Sequence, residues 1–364
     1  MNVHDGSLKN GLMEWLSKAL ESSSSDLHLV CGYPPVLRTH GKLIPIPNTA
    51  VLTPCMLAEA LKLVCSESQS QQFERELNLD YAVEIEIQNR PNRFRVNLFR
   101  SYGSVGACLR VIPDSIPDFS WSSFPKELAV RLGAFSNGLV LFTGVTGSGK
   151  STSLAMIIEH LNRTSGNRIL TIEDPIEYRF PSDSNSVVTQ REVGRDVLSF
   201  ADGLRFGLRQ DPDVILVGEI RDIDTARMAL SAAETGHLVF STLHTRDAKG
   251  SISRYSDFFP QQHQNEVRSQ LASGIRAVIC QRLLPSNIEG EKQELALEIL
   301  INTPAIGAAI RIGKLESIDN YIVTGRADGM ISMDESIKRL LSNNRISRIT
   351  AESFISDRAL ISGI

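Results

Sequence analysis

The chain has 364 residues, enough at roughly 150 per domain for two domains. It is 42% hydrophobic and 22% charged, which excludes a disordered chain because there is apolar material to fill a core. A net charge of -4 and a sequence pI near 6.0 exclude a whole-protein electrostatic grip on nucleic acid. The cysteines Cys31, Cys55, Cys65, Cys108 and Cys280 are odd in number and form no CxxC. They predict reduced, buried thiols in a cytosolic protein, with no disulfide framework or zinc ribbon. The start, Met1-Asn2-Val3-His4-Asp5, lacks a basic segment followed by an apolar one, so no signal peptide is expected. No apolar run approaches the ~20 residues that span a bilayer, so any membrane role is peripheral.

In chain order, Leu12 to Leu20 has apolar residues at helical spacing, and Asp26 to Val30 alternates as a strand. Pro35 to Ile46 predicts a hairpin turning at His40-Gly41. Thr53 to Val64 predicts a helix with Thr53 as N-cap and Pro54 in the first position. Strands follow at Tyr81 to Ile87, Phe94 to Leu98 and Ala107 to Ile112, completing a small α+β domain over 1–112. The segment 113–118, with two prolines and no periodicity, predicts a linker. Over 119–364, apolar strands (Leu139 to Thr143, Ile169 to Ile172, Val214 to Val217, Leu238 to Thr242) alternate with helices, as in a parallel sheet covered on both faces. From about Gln261 the tail reads as mostly helical. Gly203 and Gly207 fall inside one predicted helix. Each costs on the order of 1 kcal/mol against Ala, so that helix is expected to be less rigid than usual.

Residues 144–151, GVTGSGKS, match GxxxxGK[ST] in full, after a strand and at the start of a helix. Glycines Gly144, Gly147 and Gly149, with Thr146, Ser148 and Thr152 around them, let backbone N–H groups face phosphate oxygens, and the helix N-terminus adds positive potential. Lys150 is expected to bridge the β- and γ-phosphates and Ser151 to supply a hydroxyl to Mg²⁺. The apolar strand at Val214 ends in Gly218-Glu219. P-loop proteins usually carry a metal-tethering Asp where Gly218 stands. Glu219 is therefore assigned as the general base for the attacking water. Glu173, at the end of another strand and before Asp174-Pro175, is expected to assist around Mg²⁺ or its water shell.

His244 falls at the carboxyl end of its strand, on the phosphate-loop edge, where it is placed to sense the γ-phosphate. His237 falls at the opposite end and reads as a subunit contact. Arg205 and Arg209, four apart, predict one shared helical face. They join Arg221, two residues beyond Glu219, as candidate arginine fingers or subunit contacts. Arg93, Arg95 and Arg110, in the first domain, are further candidates for stabilising transferred phosphate.

Together these motifs resemble the secretion ATPases of type II secretion and type IV pili. The P-loop, ILTIEDPIEY at Ile169 to Tyr178, LRQDPDVILVGEIRD at Leu208 to Asp222 and TGHLVFSTLHT at Thr235 to Thr245 correspond in order to four signatures of that family. SSDLHLVCGYPPVLRTHGKL resembles its N-terminal PAS-like domain, and GIRAVICQRLLP at Gly274 to Pro285 is also similar. The resemblance implies a RecA-like P-loop ATPase domain, of α/β class, behind a smaller PAS-like α+β domain. It also implies that Arg95 and Arg110 reach the nucleotide, that ATP and Mg²⁺ are the cofactors, and that hydrolysis changes the angle between the domains.

The chain lacks the additional N-terminal domain and four-cysteine zinc motif of assembly-type relatives and looks like the PilT and PilU group of retraction motors. For that group the resemblance implies a cytoplasmic homo-hexamer at the pilus base, peripheral to the inner membrane. Its partners would be an inner-membrane platform protein and a paralogous pilus ATPase. That group has a motif reading roughly AIRNLIRE. Here Ala305 to Ile312 has Gly307 and Ala308 for its Arg-Asn pair and Ile312 for its Glu. Relatives from type IVB secretion or conjugation share the short layout. Two rival classes are a nucleic-acid translocating ring, disfavoured by the acidic charge and 6% aromatic content, and a non-hydrolysing accessory subunit.

Overall fold

The computed structural model describes all residues except 1–3, 23, 40, 289–291 and 363–364. The chain folds as two compact units, Met1–Ser115 with Glu177–Arg179, and Ile116–Ile176 with Phe180–Ile364.

The first unit contains α1 (His4–Glu21), β1 (Asp26–Leu29), β2 (Val36–Thr39), β3 (Lys42–Pro45), α2 (Pro54–Lys62), α3 (Glu67–Glu76), β4 (Asn78–Ile87), β5 (Arg90–Ser101) and β6 (Ser104–Ile112). Its antiparallel sheet runs β3-β2-β1-β6-β5-β4. The period-2 alternation puts Leu27, Leu29, Phe94, Val96, Ala107 and Leu109 into a core with Leu12, Leu16 and Leu57 of the helices. The other face of the same strands carries Asp26, His28, Arg95, Cys108 and Arg110. The hairpin pairs Thr39 with Lys42; His40 lies outside the described residues, and Gly41 takes the positive φ its turn requires. Thr53 caps α2 as expected, its Oγ1 accepting from Met56 N. Helix α3 was not anticipated: only Phe73 of its ten residues is buried, so its apolar periodicity is too thin to read.

The second unit contains α4 (Phe119–Ser122), α5 (Lys126–Gly133), β7 (Gly138–Thr143), α6 (Lys150–Thr164), β8 (Arg168–Glu173), β9 (Val187–Glu192), α7 (Phe200–Gly207), β10 (Val214–Val217), α8 (Ile223–Glu234), β11 (Leu238–Leu243), α9 (Ala248–Asp257), α10 (Gln264–Gly274), β12 (Ile275–Leu284), β13 (Glu294–Ile301), α11 (Pro304–Ile312), α12 (Ile318–Thr324), α13 (Met333–Ser342) and α14 (Arg348–Phe354). Its sheet order is β13-β12-β7-β11-β10-β8-β9. Six strands are parallel and β13 is an antiparallel edge. Every residue of β7, β10 and β11 is buried, the signature of a parallel sheet covered on both faces.

One expectation is extended and two are corrected here. The tail from Gln261 is mostly helical, but it also holds two strands that were not expected, β12 of ten residues and β13 of eight. Short continuous apolar runs look alike in buried strands and buried helices, and length alone did not separate them. Next, α7 is not a loosened helix. A Cβ on Gly207 would stand 2.3 Å from Leu170 Cδ2, and one on Gly203 2.8 Å from Ile172 Cγ2. Both glycines therefore serve the close approach of α7 to β8. Last, all five cysteines are free, but only Cys280 is buried, and Cys55, in the first turn of α2, is exposed.

Candidate active site

The carboxyl ends of five neighbouring strands line up the candidate residues in one row: β12, β7, β11, β10 and β8. The registers align Leu243 with Thr143, Ser241 with Val217, and Val217 with Ile172, so these strands end together.

From β7 the chain turns through 144–149 into α6. Gly144, Gly147 and Gly149 all take positive φ (141°, 82° and 85°), a conformation that side chains disfavour. Gly144 is also needed for space: a Cβ there would lie 2.4 Å from the Gln281 backbone oxygen and 2.6 Å from Ser148 Oγ. Lys150, buried at 7% exposure, folds back over the loop and donates to the carbonyls of Gly144 (2.8 Å) and Val145 (3.1 Å). Ser151 and Thr146 are exposed, Thr152 is half-buried, and Ser148 is buried with no partner for its Oγ. Positive-φ glycines, a helix N-terminus, a buried lysine and an unmet hydroxyl are what a phosphate chain would engage.

Glu219 lies just beyond β10 and is 8% exposed. Its two oxygens have different partners: Oε1 is ion-paired with the Arg221 guanidinium, and Oε2 lies 3.2 Å from His244 Nε2. Arg221 also reaches to 4.0 Å from Asp174 Oδ2. His244 lies at the carboxyl end of β11, the strand between β7 and β10, and so on the same edge as the phosphate loop. Arg221 lies on Glu219 of its own chain. Gly218 is explained by space: a Cβ there would stand 3.3 Å from both the Ile172 carbonyl and the Phe200 ring, and 3.4 Å from Glu173 Cα. An aspartate would crowd the end of β8 and the first residue of α7. Glu173, half-buried at the end of β8, accepts from Thr171 Oγ1 (2.6 Å) and Gln190 Nε2 (3.1 Å) at the same oxygen.

The remaining predicted residues lie elsewhere. His237 sits at the amino end of β11, where Nδ1 donates to Ala232 O (3.0 Å) and closes the end of α8. The carbonyl can only accept, so this nitrogen carries the proton. Arg205, exposed on α7, pairs with Asp202 (2.7 Å) and stacks over Phe206. Arg209 does not share its helical face, because α7 ends at Gly207.

In the first unit, Arg95 stands directly opposite Arg110 across β5 and β6. Two like charges so placed repel, and each is compensated: Arg95 by a two-pronged pair with Asp80 (3.0 and 2.6 Å), Arg110 by Asp26 (2.9 Å). Burial raises the Asp26 carboxyl, but hydrogen bonds from Ser25 and Arg110 and the Arg110 charge outweigh it and leave it below its ordinary value. Arg93 lies on β5 two residues before Arg95.

Sequence reasoning missed Gln281, Gln190 and Asp174. Gln190 lies on β9, an edge strand whose apolar pattern is weak. The signal for Gln281 was present as a single amide breaking an apolar run, but the run was not read as a strand.

Residues 2–344 match the family model of the type II/IV secretion system proteins. The chain belongs to that family. Among its relatives, the type IV pilus retraction ATPase PilT of Pseudomonas aeruginosa is 41% identical over 342 residues, covering 93% of this chain and 96% of that one. A crystal structure of the pilus retraction motor PilT with bound ADP superposes with a TM-score of 0.83 at 39% identity, over 95% of this chain and 97% of that one. The ATPase DotB of Legionella pneumophila superposes with a TM-score of 0.78 at 29% identity, over 93% of each chain.

Proposed function

We propose that this type II/IV secretion family member is an ATP-hydrolysing motor that drives type IV pilus retraction. The observation that carries the reading is the end-to-end match to the PilT retraction ATPase, joined to a complete phosphate loop with its lysine in place. In this reading the phosphates of ATP replace the Gly144 and Val145 carbonyls as partners of Lys150. The N–H groups of the loop, Thr152 and the Ser148 hydroxyl take the remaining oxygens. Among the described residues no group of three or more His, Cys, Asp or Glu side chains is built to hold a metal. Ser151 and, through water, Glu173 are the residues that would hold Mg²⁺ beside the phosphates, where it would offset their charge.

Glu219 activates the attacking water. A carboxylate offers about four acceptor positions, of which Arg221 and His244 take only part. Arg95 and Arg110 serve the nucleotide, and Arg205, Arg209 and His237 serve neighbouring subunits. The working assembly is a homo-hexamer in the cytoplasm, peripheral to the inner membrane. It acts on a platform protein at the pilus base, beside a paralogous pilus ATPase.

A second reading has one observation in its favour. Gly307, which stands where retraction motors have Arg, is buried, and a Cβ there would lie 3.1 Å from the Ala272 carbonyl of α10. Close helix contact has replaced a charge, so the chain serves a related secretion system, as the DotB likeness suggests, or acts as a non-hydrolysing subunit.

Two experiments decide. Purified Glu219→Gln should bind ATP but lose hydrolysis by about 10²-fold or more; wild-type turnover in that variant removes the base assignment, and no turnover in the wild-type chain favours the accessory subunit. Deleting the gene should leave cells with excess surface pili and lost motility. Bald or unaltered cells would favour assembly or another secretion system.

A further inference from the structure

Gln281 lies on the carboxyl edge, and no catalytic assignment uses it. It is 1% exposed, on β12, the parallel neighbour of β7. Its Nε2 donates to Ser153 Oγ (2.9 Å), in the first turn of α6, three residues after Lys150. Its backbone oxygen occupies the space a Gly144 side chain would need, and its Nε2 lies 3.9 Å from where a Gly149 Cβ would stand. So one residue touches both ends of the phosphate loop and the helix behind it.

The cost is visible as well: Gln281 Oε1 is buried with no partner. An unmet buried acceptor is destabilising, and a methionine of the same length would fill the volume without it. Burial of apolar surface is non-directional, so packing alone lets a helix slide or rotate on its sheet. A hydrogen bond fixes direction as well as distance. An amide retained here despite its unmet oxygen is explained by what it orients.

We propose that Gln281 is a positioning residue for the phosphate loop, fixing the rotation of α6 through Ser153 and so aiming the loop N–H groups and Lys150 at the nucleotide. This rests on the nucleotide-site reading above.

The test uses the purified full chain, a fluorescent ADP analogue and the melting temperature without nucleotide. Gln281→Met and Ser153→Ala should each raise the Kd for ADP about tenfold, the worth of one hydrogen bond. The double variant should bind no more weakly than the worse single, because both remove one interaction. The nucleotide-free melting temperature of Gln281→Met should be unchanged or higher. An unaltered Kd in Gln281→Met, or additive losses in the double variant, would overturn the proposal whatever happens to the melting temperature. If Gln281→Met does not fold, Ser153→Ala decides alone by the same criterion. A wild-type chain that fails to bind ADP sinks the nucleotide reading itself, whereas tight binding by Gln281→Met sinks only this step.

Discussion

The two edges of the seven-stranded sheet are made from the same strands, yet they use polar groups in opposite ways. At the amino edge, side chains lock backbone. Asp213 accepts from Arg168 N (2.7 Å) while its own carbonyl accepts from Leu238 N (3.0 Å), so it ties three strands together. Arg276 grips Asn137 with two hydrogen bonds (3.0 and 2.8 Å), and His237 closes α8. At the carboxyl edge, beside bonds from Lys150 and Thr242 to backbone carbonyls, the charged side chains also pair with each other: Arg221 and His244 with Glu219, and Gln190 with Glu173. A side chain bonded to the backbone of a helix or strand holds that element in place, whereas Lys150 rests on loop carbonyls that belong to none. A side chain bonded to another can change partner. The second arrangement suits a site that must accept and release a charged ligand.

Three substitutions test this contrast, in falling order of effect. Lys150→Ala removes a buried cation whose bonds to phosphate are charge-assisted, so nucleotide binding should weaken by about 10- to 100-fold. Calorimetric titration with ADP measures it, and near-normal affinity would break the comparison at its strongest point. The two histidines form a matched pair. His237→Ala should cost about 1 kcal/mol of stability, since Ala232 O loses a partner, and leave ADP binding per folded chain intact. His244→Ala, half exposed, should lower turnover with little change in melting temperature. Reversed outcomes would mean that the edges are not specialised in this way.

The smallest effect concerns Glu298, on β13, where burial raises the carboxyl above its ordinary value against hydrogen bonds from Ala248 N and Met333 N. The folded state then holds a proton that the unfolded chain has lost. Stability therefore falls as pH rises from the ordinary glutamate value through the raised one. Glu298→Gln should remove that fall. Its melting temperature should gain on the wild type as pH rises from the ordinary glutamate value, 4.5, through the raised one. Parallel melting curves across that range would exclude it.

How much of this was legible in the sequence depends on how local each cause is. The phosphate loop was readable because glycine φ values, the lysine and the helix start are fixed within eight residues. Glu219, Glu173 and His244 were readable as strand ends, since a run of apolar β-branched residues announces where it stops. Partners across the sheet were not. Nothing local says that Arg221 turns back onto Glu219, or that Arg95 faces Arg110 with a carboxylate for each. The glycines of α7 were seen and misjudged, because the close approach to Leu170 and Ile172 depends on residues some thirty positions earlier in the chain. The strands β12 and β13 were missed for want of any difference between a buried strand and a buried helix over ten apolar residues.

The glycine contact between α7 and β8 has a mechanical meaning. Most helices ride on their sheet through a layer of side chains that can shift rotamer and absorb small displacements. At Gly203 and Gly207 the helix side of that layer is missing, and helix backbone rests directly on the Ile172 and Leu170 side chains. Ile172 precedes Glu173, and Arg205 lies on the outer side of the same helix turn. A single thickness of side chain therefore separates the residue beside a candidate metal-shell carboxylate from a helix that carries an exposed guanidinium.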